Sequence, residues 1–191
     1  MTAFEIVFVL LTMIVSLAIA HLLNGFVIIL RNTSRVRFSL LHTLWIWIAF
    51  ALLIGNWAAS WEMRSVVSWP SWAVLVILAN FTIQYVFCAL VTPERMETDN
   101  LDLEEFHTRQ RHLYISALVA LLLASLVLNF TLGGSNFYQS WWRDSVLTLA
   151  VLILSLIALF VNARRAQIAC ATLIAGLSTY YMVVACNVVA G

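Results

Sequence analysis

The chain has 191 residues, of which 63% are hydrophobic and 10% charged, with a formal net charge of +1. A soluble domain carries about 25% charged residues, so a chain this apolar needs the bilayer as its solvent, and near-zero charge gives nucleic-acid binding no electrostatic footing. All ten basic residues are arginines, which excludes a retinal or pyridoxal Schiff base and the lysine of a phosphate-binding P-loop.

A membrane-crossing helix needs about 20 mostly apolar residues. Six such stretches occur, from Phe4 to Leu30, Phe38 to Trp61, Pro70 to Val91, Leu113 to Leu132, Ser145 to Val161 and Gln167 to Ala190. Open sheet edges do not survive in hydrocarbon, so these are helices. The expected fold is an all-α integral membrane protein, a single bundle of six transmembrane helices over 1–191. The first stretch lacks a basic n-region and a small-x-small cleavage site, so it reads as a mature helix rather than a signal peptide.

The breaks between stretches are polar or helix-breaking. Arg31 to Arg37 is a tight polar turn. Pro70 suits the first turn of a helix, where its missing N–H is not needed. Thr92-Pro93 ends the third helix, because a residue before proline avoids the α region. Gly133-Gly134-Ser135-Asn136 favours a loop, and Asn162 to Arg165 reads as a short hairpin turn.

Arginines set the expected orientation. Eight lie in the first, third and fifth loops: Arg31, Arg35, Arg37, Arg95, Arg109, Arg111, Arg164 and Arg165. Only Arg64 and Arg143 lie on the other side. By the positive-inside rule the first group is cytoplasmic, which puts both termini outside. Trp57, Trp61, Trp69, Trp72, Trp141 and Trp142 form an outer interfacial belt, with Trp45 and Trp47 toward the inner half. Cys88 and Cys170 fall on the inner side and Cys186 on the outer, so no intramolecular disulfide is expected.

The loop from Pro93 to His112 is the largest polar segment. Asp102 and Glu105 form a capping-box pattern, with Leu103, Phe106, Gln110 and Leu113 following at helical spacing. Glu105 and Arg109 make an i,i+4 pair in the favourable order. The fourth helix is therefore expected to begin near Leu103, about two turns before the membrane. That amphipathic turn is a solvated extension, lies on the membrane surface, or docks a partner through Asp102, Glu105, Phe106 and Arg109.

The run Asp102-Leu103-Glu104-Glu105-Phe106-His107, continuing to Arg111 and Tyr114, resembles a loop in a group of small uncharacterised bacterial inner-membrane proteins. There an acidic-Leu-x-Glu element precedes an arginine-aromatic helix start. The spacing of the first three helices is similar too. His107 and His112 stand where that group has an aromatic residue and an arginine. The resemblance implies an inner-membrane location and carries no activity.

Polar side chains at depth in a bilayer are functional candidates. The first helix carries Thr12, Ser16, Ala20 and Asn24 at steps of four, flanked by His21 and Gly25. The third carries Asn80, Gln84 and Cys88. Small residues recur at steps of four in the second (Ala51, Gly55, Ala59) and fourth (Ser116, Ala120, Ala124), with Thr172 and Gly176 in the sixth. In one reading these faces hold the bundle together. In the other, the first and third helices line a polar path with Ser16, His21, Asn24, Asn80 and Gln84.

Four histidines, His21, His42, His107 and His112, map to the inner half. His21 and His42 could serve one haem, although about 1.5 Å per residue puts them about 7 Å apart in depth. His42, His107 and His112 are candidate metal ligands, without a shared helical spacing. No nucleophile–base arrangement, H-E-x-x-H or phosphate loop occurs.

Three functions follow as expectations. The first is a non-enzymatic multi-pass protein, an accessory or oligomeric subunit of a membrane complex whose partners are the lipid bilayer and either a second copy or a larger assembly. The alternative is a channel or transporter for a small solute or ion. The third is electron transfer through haem or quinone.

Overall fold

A computed structural model describes residues 3–65, 69–93, 101–132 and 138–190, apart from the side chains of residues 3, 34, 65, 101, 131–132, 138–144 and 188–190. Six helices dominate it: α1 (Ala3–Arg31), α2 (Leu40–Ala59), α3 (Ser71–Val91), α4 (Leu103–Leu132), α5 (Tyr138–Phe160) and α6 (Arg164–Ala190). The Gly133–Asn136 loop expected from sequence lies outside the described residues, as do Ser68, Arg95 and the acidic run Glu94, Glu97 and Asp99.

Helix ends follow the local chemistry. Pro70 caps α3 in an extended conformation, and its carbonyl accepts the N–H of Ala73 at 2.9 Å. Thr92, ahead of Pro93, is extended with φ −106° and ψ 136° and stops the helix. Its hydroxyl turns back to the Cys88 carbonyl at 3.0 Å. At the start of α4, Asp102 Oδ1 accepts the N–H groups of Glu104 (2.9 Å) and Glu105 (3.2 Å). Those donors have no intrahelical acceptor, which is why an aspartate suits the position. The two backbone N–H groups, with Glu105 first and Arg37 contributing further, hold the Asp102 carboxyl below the usual carboxylate range.

The fifth helix starts at Tyr138, well before the expected Ser145. Hydropathy locates an apolar run, whereas a helix continues until its backbone is interrupted, and residues 138–144 contain neither glycine nor proline.

Among the described residues, five helices are long and apolar enough to cross a membrane: Phe4–Arg31, Leu40–Arg64, Ser71–Val91, Leu103–Phe130 and Arg164–Asn187. The described side chains of α5, Ser145–Phe160, make a shorter apolar stretch.

The helices pack in the spatial order α1–α3–α4–α5–α6–α2, with α2 closing back onto α1 and also touching α3 and α4. The pairing of α2 with α6 is the most extensive. Leu41, His42, Trp45, Ile48, Ala49, Leu52, Leu53 and Ala58 are all buried, so α2 is covered on several sides. A helix that is apolar nearly all round can occupy such a position. Gly55 permits the contact with α6, since a Cβ there would lie 2.7 Å from Tyr181 Cδ1. Gly25 does the same where α1 crosses the end of α3, 2.9 Å from Thr92 Cβ.

The small-residue faces divide into two kinds. The Ala51–Gly55 face of α2 is internal. By contrast, Ser116 and Ala120 of α4 and Thr172 and Gly176 of α6 look outward, and nothing lies within 4 Å of the position a Gly176 Cβ would take. Cys88 and Cys170 are buried free thiols and Cys186 is a half-buried one.

The α1–α2 and α5–α6 connections and the strand ahead of α4 meet at one end. Strands β1 (Val36–Arg37) and β2 (Leu101–Asp102) pair in parallel, Val36 with Leu101 and Arg37 with Asp102. Arg37 also reaches Asp102 at 3.4 Å, and Arg164 reaches Glu104 at 3.0 Å. Arg111 donates to Asn162 Oδ1. At the opposite end Phe4, Phe8, Trp57, Trp61 and Trp69 form one ring cluster, and the Arg64 guanidinium lies 5.5 Å from the Trp61 centroid. The side chains of Trp141, Trp142 and Arg143 lie outside the described residues.

Candidate functional site

Two buried polar layers and one outward polar face account for the intramembrane candidates.

The first layer crosses the middle of the bundle. Asn80 on α3 is 4% exposed and donates through Nδ2 to Ser125 Oγ on α4 at 3.1 Å. Gln84 is 0% exposed, and its Oε1 accepts from Asn56 Nδ2 on α2 at 2.5 Å. Asn56 Oδ1 in turn accepts from the Tyr181 hydroxyl on α6 at 3.1 Å. Two chains of hydrogen bonds thus join α3 to α4, and α3 to α2 and α6. Among the described residues Gln84 Nε2 has no partner. Zero exposure also means that no water-sized space touches Gln84.

The second layer lies at the arginine-rich end, between the first turns of α2, α4 and α6. His107 Nε2 lies 2.8 Å from Gln167 Oε1. Gln167 Nε2 donates to the carbonyls of Val161 (2.7 Å) and Ala158 (3.3 Å), which close the end of α5. The amide oxygen therefore faces His107, and since it can only accept, Nε2 of His107 carries the hydrogen. His107 Nδ1 is then the acceptor for the Tyr114 hydroxyl. The Tyr114 ring packs on Trp45 with centroids 5.3 Å apart. On the other side of this layer His42 meets Phe106 edge to face at 5.1 Å. His42 is fully buried, and among the described residues neither of its ring nitrogens has a partner, nor does Trp45 Nε1.

This layer corrects the expected face of α4. Leu113 is 57% exposed, whereas Leu103, His107 and Tyr114 are buried and Phe106 is half-buried. Seven residues nearly complete two helical turns, so His107 and Tyr114 share a face that the 103–106–110–113 pattern does not capture. The first turns of α4 are consequently packed into the bundle. Leu103 joins Ile29 and Val36 in a small apolar cluster, with Ile46 against it. Of the four docking candidates, Phe106 points to His42 and Asp102 is engaged as cap and ion-pair partner. Glu105 and Arg109 remain exposed.

The third group is on α1. Val7, Leu11, Val15, Ala18 and Leu22 are buried, so the polar stripe lies off the core face. Ser16 and Asn24 are exposed, and Thr12 and His21 half-buried. The Ser16 hydroxyl bonds the Thr12 carbonyl (2.7 Å), and the Thr12 hydroxyl the Phe8 carbonyl (2.8 Å). Among the described residues the Asn24 carboxamide makes no hydrogen bond. Among the described residues, His21 meets Tyr85 on α3 edge to face, with centroids 6.4 Å apart.

The structure therefore separates the five residues expected to line one path. Asn80 turns to α4 and Gln84 to α2, while Ser16 and Asn24 turn away from the bundle. His21 and His42 sit in different contacts, against Tyr85 and Phe106. His42 and His107 share a layer, but His112 is exposed on another face of α4. No group of three or more His, Cys, Asp or Glu residues suited to a metal ion forms among the described residues.

Sequence reasoning missed Asn56, Ser125, Tyr181, Trp45, Tyr114 and Gln167. Asn56 had a signal, as an amide inside an apolar run. Tyr114 had one in its i,i+7 relation to His107.

The chain matches no protein-family model, no curated protein and no solved structure.

Proposed function

We propose that the chain is a non-enzymatic subunit of a membrane assembly, held to its neighbour through the outward polar face of α1. The observation that carries this reading is the exposure of Ser16 and Asn24 on a helix whose other side forms the core. A carboxamide facing hydrocarbon with no partner among the described residues is costly, and a polar group from another helix relieves that cost. Amides and small residues at steps of four are what a close helix–helix contact uses.

In this reading the arginine-rich end faces the cytoplasm and both termini face out, supported by the arginine asymmetry. Likeness of the 102–114 segment to small bacterial proteins supports the inner membrane. The partner is a second copy or a larger complex. A solute path would rest on Asn80 and Gln84, whose oxygens or nitrogens are bonded across helix contacts, so we favour the subunit reading.

The test is cysteine cross-linking in intact membranes. Ser16→Cys and Asn24→Cys should give cross-linked species that Leu75→Cys, an exposed position on α3, does not. Equal labelling without cross-links at all three positions would contradict the reading.

A further inference from the structure

Strands β1 and β2 run directly into α2 and α4. Arg37 is three residues from the first residue of α2, and Asp102 immediately precedes α4. The parallel pairing of the strands therefore holds the N-terminal ends of these two helices side by side. On the exposed side the contact is closed by the Arg37–Asp102 pair. On the inner side it is closed by His42 against Phe106.

His42 is an unusual closure. It is fully buried, and both ring nitrogens lack partners among the described residues. A buried imidazole without a hydrogen bond calls for a physical reason. Among the described titratable groups, His107 on α4 is the one whose charge bears on it. His107 cannot accept from His42, because its nitrogens are engaged by Gln167 and Tyr114. Glu104, whose charge bears on His107, is paired with Arg164, and Arg111 is bonded to Asn162. Among the described residues, nothing around His42 is disposed to receive a proton's charge.

We propose that His42 is a proton-operated latch, whose protonation parts the first turns of α2 and α4 and opens the arginine-rich end of the bundle. Protonation turns both ring nitrogens into donors. It also places a positive charge in the first turn of α2, where the helix dipole opposes it. The closed contact leaves no room for a water beside the ring, so hydration requires Phe106 to move away. The two-residue strands give this movement a short, weak clasp to work against.

The test uses spin labels at two exposed positions flanking the clasp, Arg35→Cys and Glu105→Cys. Cys88, Cys170 and Cys186 are replaced by alanine, and the protein is placed in zwitterionic lipid nanodiscs. Pulsed dipolar distances are compared at about pH 7.5 and about pH 4, a span wide enough to protonate a buried histidine as well as an exposed one. A longer-distance population should appear reversibly at the lower pH. His42→Phe keeps an aromatic ring that takes no proton, and should hold the short distance at both values. His42→Gln, a second non-titrating replacement, should show no pH-dependent change, and His107→Gln should retain the response. Identical distances in the parent protein at both pH values would overturn the proposal. So would a shift in both His42 variants equal to that of the parent.

Discussion

Tyr114 donates its hydroxyl to Nδ1 of His107, two helical turns earlier on the same face of α4. Through His107 the bond continues to Gln167 on α6 and to the last carbonyls of α5. One buried chain of polar groups thus joins α4, α5 and α6 at the arginine-rich end. Tyr114→Phe leaves the His107 acceptor buried and unpaired, and should cost about 1–3 kcal/mol. Reversible unfolding in mixed micelles, titrated with SDS, measures this directly. A change within error would mean that water replaces the hydroxyl.

The Asn56–Gln84 bond between α2 and α3 should behave as a coupled pair. Asn56→Leu, Gln84→Leu and the double variant form a cycle whose coupling energy should be about 0.6–1.7 kcal/mol, the scale of intramembrane hydrogen bonds. Zero coupling would show that the two amides act independently.

Gly55 and Gly176 make opposite predictions from the same substitution. A Cβ on Gly55 meets the Tyr181 ring at 2.7 Å, whereas one on Gly176 meets nothing within 4 Å. Gly55→Ala should destabilise by about 1–3 kcal/mol through overpacking. Gly176→Ala should be neutral or stabilise by up to about 1 kcal/mol, because alanine has the better helix propensity. Thermal unfolding of the two variants beside the parent tests the contrast.

Acid should loosen the start of α4. Bonding to the N–H groups of Glu105 and Glu104, and the charge of Arg37, depress the folded-state value of Asp102. Its contribution to stability is therefore present above the unfolded carboxylate range and is lost as pH falls through the depressed folded value. The group is exposed to solvent, so the effect is local. Protection of the Leu103–Glu105 amides, taken against their intrinsic exchange at each pH, should fall below the ordinary carboxylate range. Asp102→Ala should remove that dependence and cost about 1 kcal/mol as a lost cap.

The helix content was legible because bilayer thickness sets a length that hydropathy can count. Pro70, Thr92-Pro93 and Asp102 marked three helix ends by their own backbone chemistry. The start of α5 was not legible, because the helix begins in less apolar residues ahead of the apolar run. The site was legible only residue by residue. Asn80, Gln84, His42 and His107 are all buried polar groups, although the sequence set His107 in an extension about two turns outside the membrane. Their partners depend on which helices are neighbours, and a single periodicity does not reveal that. The stripe of α1 shows the same limit: Thr12, Ser16 and Asn24 share a spacing, but only packing shows that Ser16 and Asn24 are exposed.

The central claim is that α1 presents its polar face to another protein chain. The most direct measurement is the mass of the intact protein extracted with its native lipids into nanodiscs. The account predicts a species heavier than one chain, containing either a second copy or a stoichiometric partner, which falls to a single chain when Ser16 and Asn24 are both replaced by leucine. A single-chain mass for the parent protein, or an assembly untouched by the double replacement, would contradict it.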